Sequence, residues 1–234
     1  MGLILAAGMG TRLGDSKIPK CLLEINNTSI MDYQLRCFKK FGISDIVMIV
    51  GQNSDMIKKH ASNNVKLIYN LNYKKTNNLY SIWKARDSIN DDFVCIYSDL
   101  LFHIEILKSC IASNSNVCLM VEKKIREETM RVEIKENRIV QVNKIIPFGK
   151  AGGNFIGMAK FRKNEKKLLF NEIEELIKLG NKQAYYTRAI EKLIEKGRII
   201  NYAYTKAYPW VDIDTMKDLS EARLIFHDLN EVMD

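Results

Sequence analysis

The sequence is poor in the features that mark several protein classes. It has only three prolines and no low-complexity or repeated segment, which argues against a linker or a repeat array. Its five cysteines form no CxxC pair, so we expect buried thiols in a reducing compartment, without disulfides or zinc. No apolar run reaches the roughly 18 to 20 residues of a membrane span, and the first residues do not resemble a signal peptide. These absences predict a cytoplasmic protein with no membrane partner.

Length and charge restrict further the classes of protein to which the sequence can belong. With 234 residues and an apolar fraction of 47%, the chain is long enough to bury a core, and we expect a single domain over 1–234. The formal net charge of +8 is compatible with nucleic acid, but the lysines occur in pairs spread among acidic residues. Since the sequence has neither a basic helix nor an aromatic RNA-binding motif, we expect no nucleic-acid partner.

Apolar runs of strand length alternate with segments of helical spacing in the first half, 1–122. Strands are predicted at 3–6, 45–50, 65–69, 93–98 and 116–121, and helices at 29–41, 55–61, 79–89 and 105–113. This rhythm is typical of an α/β fold, in which a Rossmann-like, mostly parallel sheet is flanked by helices. The ligand crevice of such a sheet lies at the carboxyl ends of its strands. We therefore expect the nucleotide-binding half here.

The second half, 123–234, has a different pattern. Alternating side chains at 130–135 and 138–143 predict a β-hairpin, and a strand is predicted at 154–160. Helices follow at 165–179 and 188–196, and short strands at 200–204 and 210–213. A last helix begins near Thr215, whose spacing to Asp218 is that of a capping box. The hairpin and the strand after it are expected to form a small substrate lobe.

The first strand leads into a glycine loop, LAAGMGTRLGDSKIPK, with glycines at 8, 10 and 14. Neither the dinucleotide spacing GxGxxG nor the P-loop pattern GxxxxGK[ST] is present, and the second strand ends without an acidic residue, which disfavours an NAD-dependent oxidoreductase. Arg12 and Lys20 instead place two cations beside backbone N–H groups that glycine leaves open to phosphate. Such a pair suits the neutralisation of a departing pyrophosphate.

LAAGMGTRL followed by IPKCLLEI resembles the signature of the nucleotidyltransferases that activate sugar phosphates and small phospho-alcohols. The resemblance runs from Leu3 to about Arg223 and implies the nucleotide-diphospho-sugar transferase fold. It implies nucleotide contacts from the loop residues Leu5, Ala6, Ala7, Gly8, Gly10, Thr11 and Arg12.

Acidic residues follow two of the predicted strands. Asp99 comes after the strand at 93–98, next to Ser98, which is assigned to nucleotide binding, and it has no cation near it in sequence. Asp212 and Asp214 alternate in YPWVDIDT and therefore share one face of a strand. Mg²⁺ prefers one or two carboxylates together with phosphate oxygens and water, so Asp99 with one or both of the others would form its site. The resemblance implies the same pairing, and the alternative is that Asp214 caps the last helix.

The stretch NYKKTNNLYSIWKAR begins a predicted helix. Thr76, Asn77 and Asn78 offer side chains and free N–H groups to a base or phosphate, although one of them is expected to cap the helix. NNLYSIWKAR resembles bacterial phosphocholine cytidylyltransferases more than the sugar enzymes, which implies CTP as the nucleotide. Ser81 is assigned to the nucleotide site with these residues.

A second loop, FGKAGGNFIGMAKF, also resembles the phosphocholine-type enzymes. The resemblance implies that Lys150 contacts the reacting phosphates and is catalytic together with Arg12 and Lys20; the alternative is an exposed loop lysine. Asn154 stands where many sugar-activating relatives have a Glu that binds sugar hydroxyls, and it is predicted to contact the substrate.

Aromatic residues occur on the same elements. Their faces attract ammonium groups with about 0.5 to 2 kcal/mol per contact, and most of the six are expected in the core or at its rim. Tyr80 and Trp210 are assigned to substrate binding, with Trp210 as the first choice for an amine pocket. The six residues are Tyr80, Trp83, Tyr185, Tyr186, Tyr208 and Trp210.

These features predict a CTP-dependent cytidylyltransferase that uses Mg²⁺ and releases pyrophosphate. Its acceptor would be phosphocholine, phosphoethanolamine, 2-aminoethylphosphonate or a similar small molecule. The attacking phosphate oxygen is already anionic, so no general base is needed, which fits a chain whose three histidines lie outside the motifs. We expect a monomer or a homodimer. The alternatives are a sugar-1-phosphate nucleotidyltransferase and, more distantly, a nucleotide-binding protein without catalysis.

Overall fold

The computed structural model of the protein describes residues 1–10, 18–126 and 129–226. The elements of the first half are β1 (Gly2–Ala6), β2 (Glu24–Ile25), β3 (Thr28–Ser29), α1 (Ile30–Lys40), β4 (Ile46–Val50), α2 (Ser54–His60), β5 (Val65–Tyr69), α3 (Asn78–Lys84), β6 (Phe93–Tyr97), β7 (Leu100–Phe102), α4 (Ile104–Ala112) and β8 (Val117–Glu122). Those of the second half are β9 (Arg131–Lys135), β10 (Arg138–Asn143), β11 (Gly153–Phe161), α5 (Lys163–Lys178), α6 (Thr187–Glu195), β12 (Asn201–Tyr204), β13 (Trp210–Asp212) and α7 (Met216–Ile225).

One nine-stranded sheet runs through both halves. Seven strands follow the order β10-β9-β11-β6-β1-β4-β5, and β8 pairs with β11 on one side and β12 on the other. Strands β6, β1, β4 and β5 are parallel, whereas β11 runs antiparallel to β6, β8 and β9. The predicted α/β fold with a mostly parallel central sheet is confirmed, and so is the predicted hairpin, formed by β9 and β10.

The core lies on both faces of this sheet. Strands β1 and β4 are buried along their whole length, as expected for parallel strands that helices cover on both sides. One hydrophobic cluster includes Phe38 of α1 and Leu107 of α4, and the other includes Leu169 of α5 and Ile190 of α6. All five cysteines are buried free thiols, as predicted. Within the described ranges, no helix combines the length and apolar character needed to cross a membrane.

A short antiparallel ladder brings the end of the chain to the carboxyl end of β6. Strand β13 pairs with β7, which places Asp212 opposite Leu100. Beyond this ladder, the backbone N–H of Ile213 donates to the carbonyl oxygen of Asp99 at 3.0 Å. The predicted capping box at Thr215 and Asp218 is present and begins α7. The acidic residues of both segments are therefore held next to each other by main-chain bonds.

Candidate active site

Two clefts meet at the carboxyl ends of β1 and β6. The first has a volume of about 360 Å³ and lies between the loop after β1 and the start of α3. The second has a volume of about 430 Å³ and lies between β11, β13 and the segment before β9. Tyr97, Asp99 and Asp214 line both clefts, so the two spaces share one wall.

Lys20 joins two acidic residues at this shared wall. Its Nζ donates to Asp99 Oδ2 at 3.0 Å and to Asp214 Oδ1 at 2.5 Å. The lysine side chain is only 14% exposed. Burial disfavours its charge, but the two carboxylates outweigh that effect and raise the pKa of Lys20 above the ordinary value of 10.5. Asp99, which has no cation near it in sequence, is thus paired with a lysine from the glycine-loop region.

Asp212 adds a third carboxylate to the same cluster. The surrounding protein desolvates it, and Asp99 and Asp214 repel its negative charge, so its pKa is raised well above the usual range even though one side of the residue is open to solvent. Lys20 opposes this shift without cancelling it. The cluster therefore holds more negative charge than its lysine neutralises.

The cluster fits a divalent cation that is bound together with a nucleotide. Among the described residues, no group of three or more His, Cys, Asp or Glu side chains forms a ready metal site. Mg²⁺ needs only one or two carboxylates when phosphate oxygens and water complete its shell. Asp99 and Asp214 are two such carboxylates, and together they face the single positive charge of Lys20.

Side chains of the first cleft are fixed by a polar network at the start of α3. Asn77 caps the helix, because its side chain accepts from the N–H of Asn78 at 2.8 Å. The buried amide of Asn70 donates to Thr76 and to Ser81, each at 3.1 Å. Sequence reasoning missed Asn70, and a buried asparagine one residue after a parallel strand was the available signal. The cap expected for one of the three polar residues is thus Asn77.

Tyr97, the last residue of β6, forms part of the wall that the two clefts share. Its hydroxyl accepts from Asn78 Nδ2 at 3.2 Å, and its ring packs against Gly157. Gly157 has φ +89°, and a Cβ built there would lie 2.5 Å from Tyr97 Cδ2. A side chain at position 157 would therefore push Tyr97 into the clefts. Sequence reasoning did not select Tyr97, although it lies two residues before Asp99.

The structure gathers most of the predicted nucleotide residues at the first cleft. Its lining includes Leu5, Ala7, Gly8, Gly10, Lys20, Thr76, Asn77, Asn78 and Ser81. Ala6 and Ser98 line an adjoining pocket that also contains Lys20 and Asp99. Thr11 and Arg12 lie outside the described residues.

The predicted substrate residues are distributed differently. Trp210 lines the second cleft, but Tyr80 and Lys150 line neither cleft, and Lys150 is exposed at the end of a short 3₁₀ turn. Asn154 is fully buried; its Oδ1 accepts from Thr129 Oγ1 at 2.8 Å and its Nδ2 donates to the Lys124 carbonyl at 2.7 Å. Its amide therefore bonds to the segment before β9 and does not face the cleft.

Comparison with known proteins gives consistent matches. The sequence-family model described as "MobA-like NTP transferase domain" matches residues 2–145. The CTP:phosphoglutamine cytidylyltransferase of Campylobacter jejuni is 26% identical over 93% of this chain and 96% of its own length. The choline-phosphate cytidylyltransferase of Haemophilus influenzae is 25% identical over 97% of this chain and 96% of its own. That of Streptococcus pneumoniae is 34% identical, over 43% of this chain and 45% of its own.

Solved structures share the fold. An inositol-1-phosphate CTP transferase from T. maritima superposes with a TM-score of 0.83 at 20% identity, covering 98% of this chain and 96% of that one. A CTP:phosphocholine cytidylyltransferase from Streptococcus pneumoniae gives a TM-score of 0.76 at 21% identity, over 96% of this chain and 98% of that one. The fold is therefore that of the nucleotide-diphospho-sugar transferases.

Proposed function

The chain belongs to the family of MobA-like NTP transferases and is a nucleotidyltransferase, and from that premise we propose that it is a CTP-dependent cytidylyltransferase. It would transfer CMP to a small phosphorylated alcohol or phosphonate and release pyrophosphate. Three relatives support this specificity, since all three are cytidylyltransferases. We also propose that 1–234 is one cytoplasmic domain, because one sheet spans both halves and the five thiols are free.

The observation that carries the proposal is the cluster of Lys20, Asp99 and Asp214 at the wall between the two clefts. A nucleotide in the first cleft and a phosphorylated acceptor in the second would meet at this wall. A group transfer between them needs charges that are fixed where the two substrates meet, and the cluster provides one cation and two carboxylates there.

The proposed reaction is an in-line displacement. An oxygen of the acceptor phosphate or phosphonate forms a bond to the α-phosphorus of CTP, and the bond between that phosphorus and the β-phosphate oxygen breaks. Pyrophosphate leaves with the electron pair. The acceptor oxygen is anionic near neutral pH, so no base is required, and in the described residues neither cleft is lined by a histidine.

Each group of the cluster has a role in this proposal. Lys20 neutralises charge on the nucleotide phosphates, and the N–H groups of the loop after β1 approach them closely. Asp99 and Asp214 would hold Mg²⁺, and family members typically use a divalent metal; when bound, it withdraws charge from the phosphates. Arg12 on the leaving pyrophosphate and Lys150 on the acceptor stay predictions.

A pyrophosphate-release screen tests the proposal. Four nucleoside triphosphates are combined with phosphocholine, phosphoethanolamine, 2-aminoethylphosphonate and several sugar 1-phosphates. We expect release with CTP and a small acceptor. Release with sugar phosphates alone would favour the sugar-1-phosphate alternative, and the absence of release with every pair would refute the proposal.

Substitutions of two lysines test whether turnover depends on the acidic cluster. Lys20→Met should lower turnover about 100-fold or more, the size of effect seen when a preorganised charge-stabilising donor is removed. Lys108→Met is the matched control, because Lys108 also pairs with a carboxylate, Glu105 at 2.9 Å, but on the exposed face of α4. Equal turnover of the two variants would remove Lys20 from the mechanism.

A further inference from the structure

Two aromatic rings of the second cleft are covered by cations of the chain itself. Arg126 Cζ lies 4.5 Å from the centroid of the Trp210 ring, and Lys144 Nζ lies 4.9 Å from that of Tyr185. All four residues line the cleft. The attraction of each ring for a cation is thus used within the protein, and a quaternary ammonium would meet a like charge at either ring.

Counting only bonds to residues that the structure describes, both cations retain donors for a ligand. Arg126 Nε lies 2.8 Å from Glu122 Oε2 and its Nη2 donates to Glu122 Oε1 at 3.2 Å, which uses two of the five N–H donors of a guanidinium. The Arg126 side chain is 44% exposed. Lys144 is exposed and donates to the Tyr185 hydroxyl at 3.4 Å. A guanidinium and an ammonium on the lining of one cleft are suited to a carboxylate.

The position of Arg126 separates it from the reacting groups. Trp210, which Arg126 covers, and Asp212 are two residues apart on β13, which corresponds to about 7 Å along a strand. Arg126 therefore covers a residue of β13 that lies before the acidic positions of the same segment. The segment is also held in place, since Asn154 bonds to Lys124 on one side of Arg126 and to Thr129 on the other.

We propose that the second cleft selects an acceptor that carries a carboxylate in addition to its phosphate or phosphonate, and that Arg126 and Lys144 bind this carboxylate. The inference rests on the proposed cytidylyltransferase function and narrows its acceptor class. Arg126 and Lys144 determine specificity and take no part in bond making. Phosphocholine, whose tail ends in a quaternary ammonium, would meet a cation and not a free ring face at Trp210 and Tyr185.

Matched acceptors test this inference. O-phosphoserine is phosphoethanolamine with one added carboxylate, and 2-amino-3-phosphonopropionate is related in the same way to 2-aminoethylphosphonate. We expect kcat/KM with CTP to be at least about 10-fold higher for the carboxylate member of a pair. Arg126→Gln should lower kcat/KM about 10- to 100-fold for that member and leave the other within about threefold.

Arg86→Gln is the control variant, because Arg86 also covers a tryptophan, Trp83 at 4.0 Å, with a similar exposure of 37%, but outside the clefts. It should behave like the unmodified protein. Equal kcat/KM within each pair, or an equal loss for both members in Arg126→Gln, would overturn the inference, since the arginine would then bind the shared phosphate or nothing. If no acceptor is turned over, the proposed function fails; calorimetric binding of the same pairs then decides the inference, and binding that is unaffected by Arg126→Gln overturns it.

Discussion

Gly157→Ala is predicted to destabilise the protein through backbone strain and a close contact with Tyr97. Residue 157 has φ +89°, a conformation that costs an L-residue about 1 to 2 kcal/mol. The added Cβ would also lie 2.5 Å from Tyr97 Cδ2 and 2.9 Å from Cγ, and overpacking of this kind costs about 1 to 3 kcal/mol. The free energy of unfolding should therefore fall by about 2 to 5 kcal/mol, measured by urea denaturation.

Gly180→Ala separates the cost of the backbone conformation from the cost of overpacking. Gly180 follows α5 with φ +85°, but a Cβ there meets nothing within 4 Å, so the variant should lose only the backbone part, about 1 to 2 kcal/mol. Because Tyr97 lines both clefts, Gly157→Ala should also raise KM for nucleotide and acceptor several-fold, whereas Gly180→Ala should not. If Gly157→Ala is no less stable than Gly180→Ala, the packing argument is refuted.

Three further substitutions test the cluster and the second cleft. Asp99→Asn should abolish pyrophosphate release with an unchanged circular dichroism spectrum, and normal release would contradict the cluster assignment. Asp212→Asn should raise the free energy of unfolding at pH 7 in metal-free buffer, because burial and two carboxylates raise the pKa of Asp212 and thus make its ionised form unfavourable in the folded protein. This gain should vanish as the pH falls below 3.8, where the carboxyl is protonated in both states, and denaturation curves that coincide at pH 7 would contradict it. Arg126→Ala uncovers the Trp210 ring, which then lies beside the carboxylate of Glu122. The rate of pyrophosphate release with phosphocholine should therefore rise relative to the rate with O-phosphoserine. An unchanged ratio of these two rates would count against the role assigned to the second cleft.

The parallel core and the place of the site could be predicted from the sequence. Strands β1, β4 and β6 are short continuous apolar runs, and such runs separated by helical segments specify a covered parallel sheet. The crevice at the strand ends then follows from topology, and with it the placement of Gly8 and Asp99. The capping box at Thr215 is also local, since both partners lie within one turn.

The remaining features depend on contacts that no local pattern encodes. Strand β7 has only three residues and follows β6 after Ser98 and Asp99, and so short an apolar stretch gives no sign of its pairing with β13. Lys20 meets Asp214 across 194 positions, and that pairing exists only after β13 has docked. Arg126 was missed because the segment before β9 has no periodicity of its own. Asn154 lies on β11, and its hydrogen bonds to Lys124 and Thr129 join positions that are distant in sequence, so no local pattern predicts them.

The main-chain bond between Ile213 and Asp99 ties the acidic cluster to a segment that comes late in the sequence. The family match ends at residue 145, yet Asp212 and Asp214 come from a later segment. During synthesis, the nucleotide-binding half leaves the ribosome well before these two carboxylates do. A nascent chain, or a product cleaved ahead of Trp210, would have the walls of the first cleft without the acidic residues opposite Asp99. The order of segments along the chain therefore means that the acidic cluster forms only after the segment from Trp210 onward has docked against β7.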